Sequence, residues 1–134
     1  MAIEAMLPVR LVDAPSLSTI EAIVIIAQRV LTYAVPGNAC DVMISLCAPV
    51  RGEREWSCAY EIVWPGEPRR GFGYGVDGAQ ALLLALQAIG TEIYTSNHHR
   101  SGWLYWEQPG QGYGFPVPSA IRDLLVGEDA RLYG

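Results

Sequence analysis

Apolar and polar residues alternate along much of the first half of this chain, and the spacing then changes to that of a helix. In Asp41–Ala48 the residues Val42, Ile44, Leu46 and Ala48 share one side, and in Glu55–Trp64 the residues Trp56, Cys58, Tyr60, Ile62 and Trp64 do the same. A repeat of two is the mark of a strand with one buried face. The polar segment Arg51-Gly-Glu-Arg54 joins these two strands as a hairpin, and Pro65-Gly66 makes the next turn. Arg70, Phe72, Tyr74 and Val76 continue the alternation. If the apolar sets lie on one side, even-numbered residues oppose even-numbered ones. That register puts Ile62 near Phe72 and Tyr60 near Tyr74, and it sends Cys47 and Cys58 to opposite faces, which excludes a disulfide between them.

The period changes at Asp77. Asp77 can cap the first free N–H groups of a helix, and Gln80, three residues on, completes a capping box. Leu82, Leu86, Ile89 and Ile93 then fall on one stripe, widened by Leu83 and Ala85, which predicts a helix over about 77–94. Further on, Trp103–Trp106 reads as a short strand closed by Pro109. Ser119 can cap a last short helix over Ala120–Val126, stopped by Gly127. Residues 18–35 carry two patterns. Ser18-Thr-Ile-Glu21 could cap a helix, whereas the density of β-branched residues favours a strand over about 23–35, ended by Pro36-Gly37-Asn38. Consecutive strands before a helix predict an α+β fold: an antiparallel meander of four or five strands with one long helix on one face and a short C-terminal helix. Residues 1–17 are expected to form a flexible arm with a short strand near Met6–Val12, residues 18–127 the domain, and 128–134 a loose tail.

Composition narrows the classes of function. With 51% hydrophobic and 17% charged residues in 134, the chain is globular, and no apolar run approaches the roughly 20 residues of a membrane span. No basic segment followed by an apolar one marks a secretory signal, so a cytoplasmic location is expected. The net charge is −5, every basic residue is an arginine, and Arg69-Arg70 is the only basic pair, so no nucleic-acid partner is expected. Cys40, Cys47 and Cys58 show no C-x-x-C spacing, which suits reduced thiols.

Candidate chemistry is sparse. Gly73-Tyr-Gly-Val-Asp-Gly78 fits G-x-G-x-x-G between a strand and a helix, but the preceding strands look like hairpins and Asp77 sets a carboxylate where a phosphate must sit. Gly71, Gly73 and Gly75 also alternate, as glycines do on one strand face beneath bulky neighbours. His98-His99, in a polar loop expected over 95–102, would point apart and make poor joint ligands. Cys58, between Trp56 and Tyr60, reads as a packed thiol rather than a nucleophile. No catalytic set, cofactor or metal site is expected. Trp103, Tyr105, Trp106, Tyr113 and Phe115, interleaved with Gly110, Gly112 and Gly114, carry the most functional content. They either seal one end of the core or form an interaction patch on a pliable loop.

The segments Ile26–Thr32, Trp56–Ile62, Gly75–Leu82 and Ala85–Gly90 carry the strings W-x-C-x-Y-x-I and G-V-D-x-x-Q-A-L. With Gly114-Phe-Pro116, they make residues 24–126 resemble a family of small bacterial domains of unknown function. That resemblance supports the strand reading of residues 24–35 and implies no activity, cofactor or catalytic residue; Ala59 stands where the family's tyrosine is commonly preceded by proline. The residues point to a non-catalytic interaction module with a protein partner or a second copy of itself. An immunity-type protein against a toxin domain is one alternative. A small enzyme or ligand-binding protein, with a cleft between the helix start and the 110–116 loop, is another.

Overall fold

The structure, a computed structural model, describes residues 24–134. The expected arm over 1–17, the strand near Met6–Val12 and the cap at Ser18 lie outside the described residues. Strands β1 (Ile25–Tyr33), β2 (Cys40–Cys47), β3 (Val50–Arg51), β4 (Trp56–Val63) and β5 (Pro68–Gly75) precede helix α1 (Gly78–Tyr94). A one-turn helix α2 (Asn97–Arg100), strand β6 (Leu104–Tyr105), a 3-10 helix (Ser119–Leu124) and helix α3 (Gly127–Tyr133) follow. The long strands pair antiparallel in chain order, β1 with β2, β2 with β4 and β4 with β5. Short β3 also pairs with β4, and β6 returns to the outer side of β1. This is the expected α+β meander, extended by two short strands.

The register explains which face meets the helix. Ile44 opposes Ile62 and Leu46 opposes Tyr60, so even-numbered apolar residues of β2 and β4 share the helix-bearing face, with Ala27, Arg29 and Leu31 of β1 beside them. The β4–β5 register is the reverse of the one predicted. Tyr60 opposes Gly71 and Ile62 opposes Arg69, while Phe72 and Tyr74 lie opposite Ala59 and Ser57 on the far face, both partly exposed. The cause is helix backbone. A Cβ at Gly73 would lie 2.2 Å from the Ala85 amide nitrogen and 2.4 Å from the Ala81 carbonyl oxygen, so only a strand face without side chains admits α1 this closely. Gly71, Gly73 and Gly75 supply that face, and the aromatic residues between them are turned away.

The same closeness rotates the helix. Ala81, Ala85, Ile89 and Ile93 are fully buried, Leu82 and Leu86 pack half-buried against the core, and Leu83, expected on the buried stripe, is half exposed. Small residues face the glycine strand because larger ones do not fit there. The N-terminus is built as predicted: Asp77 Oδ1 accepts from the Gln80 N–H at 2.8 Å. Gln80 Oε1 reaches one residue past the cap, accepting from the Val76 N–H at 2.7 Å.

The C-terminal part also departs from the sequence reading. The short helix expected over Ala120–Val126 is a 3-10 segment, Ser119–Leu124, without a side-chain cap. Residues expected as a loose tail form α3, whose Asp129 is only 1% exposed. Among the described residues no helix is long and apolar enough to cross a membrane.

Candidate functional site

Of the aromatic residues from Trp103 to Phe115, Trp106, Tyr113 and Phe115 gather around Arg29 and Asp129 on the helix-bearing face, whereas Tyr105, paired with Thr32, lies on the other face of the sheet. Tyr113 and Phe115 are buried, Tyr105 and Trp106 are half-buried, and Trp103, at 44% exposure, faces solvent. Two charged residues organise this corner, and the sequence reading singled out neither. Asp129 on α3 accepts from the Tyr94 hydroxyl at 2.5 Å, the Tyr113 N–H at 2.7 Å and the Gly114 N–H at 2.8 Å. Arg29 on β1 donates through Nη1 to the Tyr113 and Gly114 carbonyl oxygens at 3.0 and 3.1 Å. The Tyr113-Gly114 backbone is thus held by its amides on one side and its carbonyls on the other. Charge-assisted bonds of this kind are about twice as strong as neutral ones.

The guanidinium lies 3.9 Å above the Trp106 ring centre and 4.8 Å from that of Phe115. Burial between the rings lowers the Arg29 pKa, opposed by the charges of Tyr133, Asp129 and Glu107; an arginine remains charged regardless. Gly112 and Gly114 have φ of +85° and +79°, and a Cβ at Gly112 would strike the Asp129 carboxyl group. The glycines therefore make the loop a fitted strap rather than a pliable one. Two signals for the clamp exist in the sequence. Arg29 is the one charge on the helix-bearing side of β1, and Asp129 stands in the first turn of α3, just after Gly127.

The histidines occupy α2, capped by Ser96, whose hydroxyl accepts from the His99 N–H at 3.0 Å, and not an extended polar loop. Both are half-buried. His98 stacks on Trp64 at 4.6 Å, and His99 packs edge-on against Tyr94 and Tyr113 with its Nδ1 2.6 Å from the Tyr113 hydroxyl. Burial lowers both histidine pKa values, aided at His99 by the charge of Arg100. Burial likewise raises the phenols of Tyr94 and Tyr113, with the Asp129 carboxylate adding to the effect.

Elsewhere the Tyr60 hydroxyl donates to Glu92 at 2.6 Å, and Arg69, mostly exposed, reaches the other Glu92 oxygen at 3.2 Å. All three cysteines are free thiols. Burial pushes Cys47 and Cys58 up to about 11, so neither is a thiolate near neutral pH. Cys58 points at the Cys47 carbonyl oxygen, 3.2 Å away, as a packed core thiol. Gly73 and Gly75 of the G-x-G-x-x-G string are consumed by contact with α1, and Asp77 occupies the helix N-terminus. Among the described residues no group of three or more His, Cys, Asp or Glu side chains is placed to hold a metal ion.

One open cleft, about 480 Å³, lies where Leu83 and Leu86 of α1 face Phe115 and Pro116, with Arg29 and Tyr133 at its sides. A second, of about 460 Å³, is lined by Trp64, Arg69, Glu92, Asn97 and His98 and is more polar. Neither a curated protein nor a solved structure matches the chain. One family model does, over residues 27–117, which run from β1 through the strap. The chain belongs to that family, the domain of unknown function DUF6968.

Proposed function

We propose that this domain is a non-catalytic protein-interaction module of a bacterial cytoplasm, engaging a protein partner or a second copy through the corner that carries Trp103, Tyr105, Trp106, Tyr113 and Phe115. The observation that carries this reading is the exposure of Trp103 while Tyr113 and Phe115 are buried and Tyr105 and Trp106 half-buried. Tyr113 and Phe115 anchor the strap, Trp106 lies against the Arg29 guanidinium, and Trp103 is presented to solvent just before β6, where its carbonyl accepts from the Ala34 N–H. An exposed tryptophan is the residue type that dominates interface hot spots. The ionisable groups that hold the strap support the same reading. Asp129, Arg29 and His99 are all engaged in holding backbone or rings in place. Three free thiols suit a reducing compartment.

The test compares the wild-type chain with Trp103→Ala in pull-downs from native lysate and in light scattering. Because Trp103 is exposed, its truncation should leave the thermal midpoint nearly unchanged, as exposed substitutions usually fall within about 0.5 kcal/mol. The expected result is loss of the captured partner, or of the dimer, in the variant alone. Equal capture and an equal oligomeric state with both chains would overturn the assignment. The apolar cleft beside Leu83, Leu86 and Phe115 favours a second reading, a small-ligand site. A thermal-shift screen separates the two, since a ligand at 100 times its Kd adds about 2.7 kcal/mol of stability.

A further inference from the structure

The glycine strand that draws α1 close also sets what the helix leaves uncovered. Because α1 packs on β5 and β4, the β1–β2 end of the same face is walled only at its borders. Leu83 and Leu86 of α1 stand on one side and Phe115 of the strap on the other, over a floor that includes Ala27 and Leu46, paired across β1 and β2. Ala27 is exposed although it lies on the face that elsewhere forms the core. The result is the open, largely apolar cleft of about 480 Å³, a size typical of small-molecule sites.

Arg29 is the one charged residue lining this cleft. Its Nη1 is engaged by the Tyr113 and Gly114 carbonyl oxygens, which leaves Nε and Nη2. Neither donates to a described residue, and no described carboxylate lies within ion-pair distance of the guanidinium. The neighbouring carboxylate, Asp129, is taken up by the Tyr94 hydroxyl and two backbone amides instead. Among the described residues no buried side-chain nitrogen or oxygen lacks a partner, so Nε, Nη2 and the equally unbonded Tyr133 hydroxyl open to solvent. The Trp106 and Phe115 rings meanwhile strip part of the water from the guanidinium, and a partly desolvated cation gains more from an anion than a fully hydrated one.

We propose that this cleft binds a small amphipathic monocarboxylate, its carboxylate held by Arg29 Nε and Nη2 with the Tyr133 hydroxyl, its aliphatic body between Leu83, Leu86 and Phe115. The inference rests on the small-ligand reading of the cleft and adds the chemical class. Nε–H and Nη2–H point the same way from the planar group, a fork that matches two carboxylate oxygens. One cation and one hydroxyl suit a single negative charge, and the net charge of −5 disfavours a polyanion.

The experiment titrates the full, isotope-labelled chain with octanoate, octanol and octylamine and follows it by NMR. Octanoate should shift the Arg29 Nε–H and the Leu83 and Leu86 methyl signals saturably. Octanol should bind roughly tenfold more weakly or worse, since the charged pair is lost, and octylamine more weakly still. Arg29 also braces the strap, so variants elsewhere carry the test. Leu83→Glu, at a half-exposed position, sets a like charge at the wall; it should keep the thermal midpoint and weaken octanoate roughly tenfold. Tyr133→Phe should weaken octanoate severalfold. Octanol or octylamine binding as tightly as octanoate would overturn the monocarboxylate and leave the small-ligand reading standing. Octanoate affinity unchanged in Leu83→Glu, or saturable shifts confined to other residues, would overturn it too. So would the absence of saturable octanoate binding, and the thermal-shift screen then judges the small-ligand reading separately.

Discussion

Replacing Gly73 by alanine adds one methyl group at the tightest point of the helix–sheet contact. That carbon would stand 2.2 Å from the Ala85 nitrogen, 2.4 Å from the Ala81 oxygen and 2.8 Å from Ala85 Cα, all of them backbone atoms of α1. Ordinary contact begins near 3.4 Å, so the helix must withdraw locally by about 1.2 Å, the difference between 3.4 and 2.2 Å. No rotamer change relieves this, because the obstacle is main chain. A gap of 0.5–1 Å already forfeits roughly a quarter to a half of each dispersion contact it opens. The packing of Ala81, Ala85 and Ile89 on β4 and β5 would weaken together. Overpacking that side chains can absorb costs about 1–3 kcal/mol, so this case belongs at or above the upper end. The alanine also restricts the unfolded chain, offsetting about 0.5 kcal/mol. The net expectation is a loss of about 2.5 kcal/mol, read as a urea midpoint lowered by about 1.5 M at unchanged slope, followed by circular dichroism. Gly78→Ala is the matched control. Its added carbon would meet Trp56 and Pro49 at 3.4–3.5 Å, ordinary contact, at the start of α1. There alanine should stabilise by about 0.5–1 kcal/mol. A Gly73→Ala midpoint within about 0.3 M of wild type (roughly 0.5 kcal/mol at that slope) would refute the account of why β5 turns its glycines to the helix.

Three further outcomes follow from the clamp and the buried titrating groups. Asp129→Ala strands the Tyr94 hydroxyl and the Tyr113 and Gly114 amides, and should cost about 3 kcal/mol or more by thermal denaturation; a loss under about 1 kcal/mol would show that water replaces the carboxylate. His98 and His99 have folded-state pKa values below the ordinary 6.5, so folding favours their neutral forms. Their contribution is complete above pH 6.5 and is lost as pH falls through and below that value, so His99→Gln should flatten the acid limb of a stability–pH curve between about pH 7 and 5, and an unchanged limb would exclude His99 as its source. With Cys47 and Cys58 raised to about 11 and buried, iodoacetamide at pH 8 should modify Cys40 alone in the folded chain and all three in denaturant, counted by mass. Rapid labelling of Cys58 in the folded chain would contradict its place in the core.

How legible this protein is from sequence depends on how local each signal is. The cap at Asp77, the strands around Ile44 and Ile62, the shared face of those strands and the length of α1 are set by neighbours two to four residues apart, and they were readable. Where a structure turns on contacts between distant segments, the pattern misled. Alternation alone put Phe72 and Tyr74 inward, yet the approach of the Ala81 and Ala85 backbone required a bare strand, and a two-residue period cannot say which of its two faces is claimed. The aromatic cluster was visible as composition, but which rings are buried was not, because Asp129 and Arg29 set that from 15 and 84 positions away. The tail showed the same limit: its helix is anchored by a carboxylate whose partners are Tyr94, Tyr113 and Gly114. By itself the sequence determined the elements, their order and an antiparallel sheet covered by one helix, since propensity, capping and period act within a few residues. Only the tertiary structure decided the β5 register, the rotation of α1 and the braced loop, because close packing and buried charge pair groups that the chain keeps far apart.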